Sequence, residues 1–229
     1  MPRWRNWARS WNGLHPPLPR GSPGWAGAVK KTPPAAEQSR PDGAEQRKQW
    51  PQRLAGVAAD RLVFVDESGA HTQMTRRYGR RPVGQRRACP VPPGHYQMTP
   101  RIAAVRLKGP QAPWWFGGAR DGELFLAWVK QGLVRCLKPE DGVVMDNLAT
   151  HQVAGVREAI EGAGARLEYL PPYSPDFNPI EPLGSKVKPG LKSREPRNTR
   201  QLHKAAGAAF AAVTPTDCQG FFLHAGYAT

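Results

Sequence analysis

The sequence predicts an α/β fold, a mixed sheet covered by helices. Short runs rich in β-branched and apolar residues, Leu62 to Asp66 and Gly142 to Asp146, have the length and composition of buried strands. Between them Phe125, Trp128, Val129, Leu133, Cys136 and Leu137 keep an apolar stripe at helical spacing. Strands that alternate with such helices bury their faces by stacking helices on the sheet.

The elements follow in order. Residues 1–27, with Trp, Arg, Pro and Gly but no strand or helix period, are expected to be irregular or disordered. Residues 28–60 read as a helical linker, because Ala44, Arg47, Trp50 and Leu54 fall at helical offsets; Pro51 argues for a break there. The first strand, 62–66, leads to a turn at Ser68-Gly69 and an Arg-rich connection over 70–87. Met98 to Leu107 alternates as a second strand, and Trp114-Trp115-Phe116 forms a third. Asp121 suits the N-cap of the next helix, which Pro139 and Gly142 stop. The strand ending at Asp146 comes next, then a helix over Val153–Ala163 and an extended segment over Arg166–Leu170. A polar helical stretch begins at Pro179, and an Ala-rich helix spans Thr199–Val213.

Composition narrows the function. The formal charge of +15 over 229 residues suits an acidic polymer as partner. The charge is uneven: residues 121–178 hold nine acidic and five basic side chains, while the stretches on either side are basic. No apolar run approaches the roughly 18 residues of a membrane span, and no signal peptide is visible. The three cysteines are too scattered for a disulfide framework. A cytoplasmic, nucleoid-associated location is expected.

Three acids stand out. Asp66 and Asp146 each end an apolar run, so each is expected at the C-terminal edge of a buried strand, where open α/β sheets place their chemistry. Glu181 follows a Pro-rich segment, Pro171-Pro-Tyr-Ser-Pro-Asp-Phe-Asn-Pro179, whose fixed dihedrals hold a carboxylate with little freedom. Carboxylates from separate segments make a hard-oxygen site suited to Mg²⁺ (or Mn²⁺), and two such ions clamp a phosphodiester. Glu67 should point away from Asp66 and is excluded; Asp176 is the rival third ligand. Arg76, Arg77, Arg80, Arg81, Arg86 and Arg87 form a candidate phosphate-contact segment, with Lys186, Lys188 and Lys192 weaker candidates.

Two segments carry a resemblance. Asp-Asn-Leu-Ala-Thr-His at 146–151 and Leu-Pro-Pro-Tyr-Ser-Pro-Asp-Phe-Asn-Pro-Ile-Glu at 170–181 resemble the DDE endonuclease domain of mariner-like bacterial insertion-sequence transposases. The 34 residues between Asp146 and Glu181 match that family's interval. Val65-Asp-Glu-Ser-Gly-Ala-His71 and Tyr78-Gly-Arg80 resemble its first-acid segment, and the similarity runs from about Lys30 to the C-terminus. The resemblance implies a ribonuclease-H-like domain over 61–229, with Asp66, Asp146 and Glu181 binding two metal ions. One ion would activate water and then a DNA 3′-hydroxyl, and the other would stabilise the leaving oxygen. Asn147 and His151 match positions given orienting or DNA-contact roles. The implied partners are element ends with terminal inverted repeats, target DNA and a second copy of the chain. Helix-turn-helix modules of complete relatives have no match here, so a truncated copy, or one served by a separately encoded helix-turn-helix segment, is expected. Gly184 stands where relatives place a large side chain, and Pro189-Gly190 is expected to shorten or loosen the helix carrying Glu181.

Overall fold

Five strands, β1 (Leu62–His71), β2 (Met98–Arg106), β3 (Gly109–Trp115), β4 (Gly142–Met145) and β5 (Arg166–Tyr169), form one mixed sheet ordered β3-β2-β1-β4-β5. The structure, a computed structural model, describes residues 41–76, 96–116 and 121–227. β1 pairs antiparallel with β2 and parallel with β4, which pairs parallel with β5. The predicted mixed α/β sheet is observed.

Alternation along β1 decides what covers each face. Leu62 and Phe64 join a core with α1 (Pro41–Arg53), α4 (Ile180–Arg194), α5 (Thr199–Ala211) and α6 (Pro215–His224). Val63 and Val65 point the other way, onto α2 (Gly122–Trp128) and α3 (Val156–Glu161), where Phe125, Trp128, Val156 and Ile160 are fully buried. β4 repeats the pattern, with Val144 on the first face and Val143 and Met145 on the second.

Several expected boundaries shift, each for a tertiary reason. β1 does not turn at Ser68-Gly69; it runs on to His71 because β2 supplies partners as far as the pair His71 and Met98. Asp66 therefore lies inside β1 rather than at its end. The ladder to β4 nevertheless stops at Phe64, so Asp66 sits just beyond the last parallel pair. The predicted helix after Asp121 is α2 followed by a π turn over Val129–Leu133 and a 3₁₀ turn over Val134–Cys136, and its apolar stripe is buried as expected. The helix expected over Val153–Ala163 shrinks to α3, whose N-cap Gly155 takes a left-handed φ of 93° that a side chain would strain.

Two expected breaks do not occur. α1 continues through Pro51, which lies in its last turn, where a proline sacrifices one backbone hydrogen bond. α4 continues through Pro189 and Gly190 because Ile180, Leu183, Val187 and Leu191 anchor one face of it in the core. Apolar burial along four turns outweighs a local propensity cost of about 3–4 kcal/mol. α6 was not anticipated, although Thr214 and Asp217 form a capping box with Pro215 at the first turn, a signal readable in the sequence.

α1, within the stretch read as a helical linker, buries Trp50 and Leu54 in the first core. The indole Nε1 of Trp50 donates to the Tyr227 hydroxyl at 3.0 Å. Trp50→Ala should lower unfolding stability by about 3–5 kcal/mol, read as a shifted urea midpoint. An unchanged midpoint would mean that α1 contributes nothing to this core.

Candidate active site

The parallel register of β1 and β4 sets the site. Leu62 faces Gly142 and Phe64 faces Val144, so the same offset carries Asp66 level with Asp146. Both lie where the two strands part and a cleft opens. Its volume is about 190 Å³, and its lining includes Asp66, Ser68, Arg101, Glu181, Gly184 and Lys188.

Glu181 reaches this cleft from the first turn of α4. The Pro-rich loop before it is braced from the far ends of the chain. Arg47 of α1 donates to Ser174 Oγ at 2.7 Å and to both carboxylate oxygens of Asp176 at 3.0 and 2.6 Å, and it lies 4.3 Å over the Phe177 ring. The Tyr227 hydroxyl donates to the Phe177 carbonyl at 2.7 Å. The buried Asn178 accepts the backbone N–H of Ile180 at the start of α4. Asp176, the rival third ligand, is thus spent on Arg47.

The electrostatics of the cleft are those of crowded acids. Burial, then the charges of Asp146 and Glu181, push Asp66 from 3.8 to about 7, against a backbone N–H bond from Glu67 and the His151 charge. The three acids are therefore near enough to repel one another. Among the described residues, however, no three potential ligand groups already stand close enough to share one ion. Donor chemistry fits a hard divalent cation: three oxygen ligands whose mutual repulsion a cation would relieve.

On the other side of Asp146 lies His151, fully buried, with its ring 4.3 Å from that of Phe125. Its Nδ1 is 2.5 Å from Asp146 Oδ1, and its Nε2 is 3.6 Å from Glu67 Oε1. Burial pulls the imidazole down, yet hydrogen bonds to Asp146 and Glu67 and the Asp146 charge carry it up to about 9. An imidazolium between two carboxylates is the result. Glu67 does point away from Asp66, as alternation requires, but into this buried contact.

The remaining candidates separate. Asn147 is exposed and its Oδ1 accepts from Gln152. Arg76 is exposed, while Arg77, Arg80, Arg81, Arg86 and Arg87 lie outside the described residues. Lys188 lines the cleft; Lys186 instead pairs with Asp217. Arg101 is a cleft residue that the sequence reading missed. Its signal was an arginine beside the apolar run Ile102 to Val105 of β2. Burial lowers its guanidinium to about 10, opposed by the Asp66 charge.

This fold with a three-carboxylate cleft defines a class, and sequence comparison gives the family. The DDE superfamily endonuclease profile matches residues 61–203, and the chain belongs to that family. No curated protein matches the sequence. Among solved structures, the Mos1 transposase paired-end complex with left transposon end superposes with a TM-score of 0.71 at 16% identity, covering 86% of this chain and 63% of that one. The catalytic domain of Mos1 mariner transposase gives 0.56 at 14% identity, covering 85% and 96%. The mariner Mos1 paired end complex with Mg gives 0.61 at 14%, covering 88% and 65%. The fold is accordingly ribonuclease-H-like, and the chain spans under two thirds of the transposase chains in those DNA-end complexes. No helix among the described residues is long and apolar enough to cross a membrane.

The raised Asp66 gives a signed pH dependence. Between 3.8 and about 7 the folded state holds more protons than the unfolded chain, so this group's contribution to stability falls as pH rises through that window. In metal-free buffer, Asp66→Asn should melt above wild type near pH 8, with the gap closing near pH 4 as Asp66 protonates in both states. Thermal melts followed by circular dichroism read this directly, and a gap independent of pH would contradict the burial of a charged Asp66.

Proposed function

We propose that the chain carries the catalytic domain of a DNA transposase, cleaving and joining strands with Mg²⁺ or Mn²⁺ held by Asp66, Asp146 and Glu181. The supporting observation is the buried cleft in which Asp146 and Glu181 drive the pKa of Asp66 up to about 7. Divalent ions bound there, two in this reading, would supply Lewis-acid stabilisation of the attacking and leaving oxygens of a phosphodiester. The chain's own residues do the rest. Asp66 carries a proton in roughly half of the molecules at neutral pH, so a cation must displace that proton and binding is coupled to pH. His151, wedged between Phe125 and Glu67, fixes one oxygen of Asp146. The brace from Arg47 and Tyr227 to the Pro-rich loop fixes where α4 starts, and with it Glu181.

The domain of this proposal covers 61–229 together with α1, with residues 1–27 outside it. Its DNA would be element ends bearing terminal inverted repeats and a target duplex, as the transposon ends bound by Mos1 suggest. A homodimer, a separately encoded helix-turn-helix segment, Asn147 and the arginines from Arg76 to Arg87 as DNA contacts, and a nucleoid location in the cytoplasm complete the reading.

A second reading, a catalytically impaired DNA-binding remnant, draws on the lack of a ready three-ligand cluster among the described residues and on the chain's partial span of its structural relatives. Incubating the purified protein with duplexes carrying the element's ends in Mg²⁺ or Mn²⁺ separates the two. The catalytic reading expects nicks that disappear with Asp66→Asn, Asp146→Asn or Glu181→Gln. His151→Ala should weaken Mn²⁺ affinity by roughly 10–100-fold, measured by electron paramagnetic resonance. DNA that is bound yet never cut selects the remnant.

A further inference from the structure

We infer that Arg101, Gly184 and Lys188 form a phosphate-binding strip for a nucleic-acid backbone along the wall of the cleft. Arg101 carries the argument. Its residue exposure is 8%, yet its Nε has no hydrogen-bond partner among the described residues. The guanidinium is held instead by aromatic faces, 4.3 Å over Phe210 of α5 and 5.6 Å over Trp115 of β3. A buried cation ordinarily finds acceptors, because an unmet donor keeps its full desolvation cost. Here the nearby acid, Asp66, acts on it by charge rather than by a hydrogen bond. Rings that stack a guanidinium leave its N–H edge for a planar or tetrahedral oxyanion, the group its donor fork matches. The cleft that Arg101 lines is where such an anion enters.

The opposite wall is α4. Glu181, Gly184 and Lys188 are three and then four residues apart, so they share one helical face, and all three line the cleft. A Cβ built on Gly184 would meet nothing within 4 Å. The missing side chain therefore leaves room for a bulky group against the helix, between the acid end of the face and the exposed Lys188. A repeating phosphodiester would meet Arg101 inside and Lys188 at the mouth, while its sugars pass over Gly184. Gly184, a departure from the pattern expected at this position, becomes a feature that admits the polymer.

The proposal rests on the nucleic-acid reading above and goes further in naming the contacts. Its test is fluorescence anisotropy of a labelled DNA duplex against salt concentration, in EDTA and again in Ca²⁺, with folding checked by thermal melts. Arg101→Met keeps the volume between the rings and removes the charge; Lys188→Met alters only an exposed side chain and keeps the test alive if the first variant unfolds. Each should weaken binding roughly tenfold at low salt and lower the slope of log affinity against log salt by about 0.9. Gly184→Leu should weaken binding with its slope unchanged and its melting temperature not lowered. If the wild type binds DNA while Lys188→Met and Gly184→Leu retain its affinity and slope, the strip is wrong and the nucleic-acid reading stands. A wild type that binds no DNA in either buffer removes both.

Discussion

Like charges held together against their repulsion are the constraint around which this molecule is built. The parallel pairing of β1 with β4 puts Asp66 level with Asp146, and α4 brings Glu181 to the same cleft. None of these carboxylates gains stability from the arrangement: burial and its neighbours leave Asp66 half protonated near neutrality. A fold keeps such an unfavourable cluster only where the surrounding structure over-determines it, and that is the usual mark of a working site.

The surroundings answer that demand from three directions. Behind Asp146, His151 sits as a buried imidazolium between that residue and Glu67, with Phe125 closing the ring's face. In front, Arg101 brings a positive charge that reaches Asp66 without bonding to it. Beneath Glu181, an arginine of α1 and a tyrosine near the end of the chain clamp the loop before α4. Residues 47 and 227 are remote in sequence, so the third acid is positioned by the longest-range contacts in the domain. Its precision depends on the whole chain having folded.

α4 shows how burial overrules propensity. Glycine and two prolines within a helix read as a defect when judged locally, yet four buried aliphatic side chains carry the helix through. The first proline, Pro182, falls in the opening turn, where its missing N–H has no intrahelical partner to lose. Gly184 faces open space instead of a neighbour, so its lack of a side chain leaves packing intact and enlarges the cleft. β1 is the complementary case. Ser68-Gly69 resembles a turn in isolation, but an available partner strand extends the ladder through it.

The sequence by itself determined the order of strands and helices from Leu62 to Ala211, the three acids and their spacing, and the membership that those segments signal. These are local or one-dimensional properties: periodicity, caps, apolar runs and motif intervals survive without coordinates. It also marked Asp176 as a competitor to Glu181, which only the Arg47 clamp resolves. Tertiary structure alone decided that Glu67 turns inward to His151, that Arg101 enters the cleft, and that α1 braces the loop carrying the third acid. Each of those depends on which surfaces meet across the sheet, and the free energy of such meetings lies in pairs of residues far apart along the chain, where no local pattern records it.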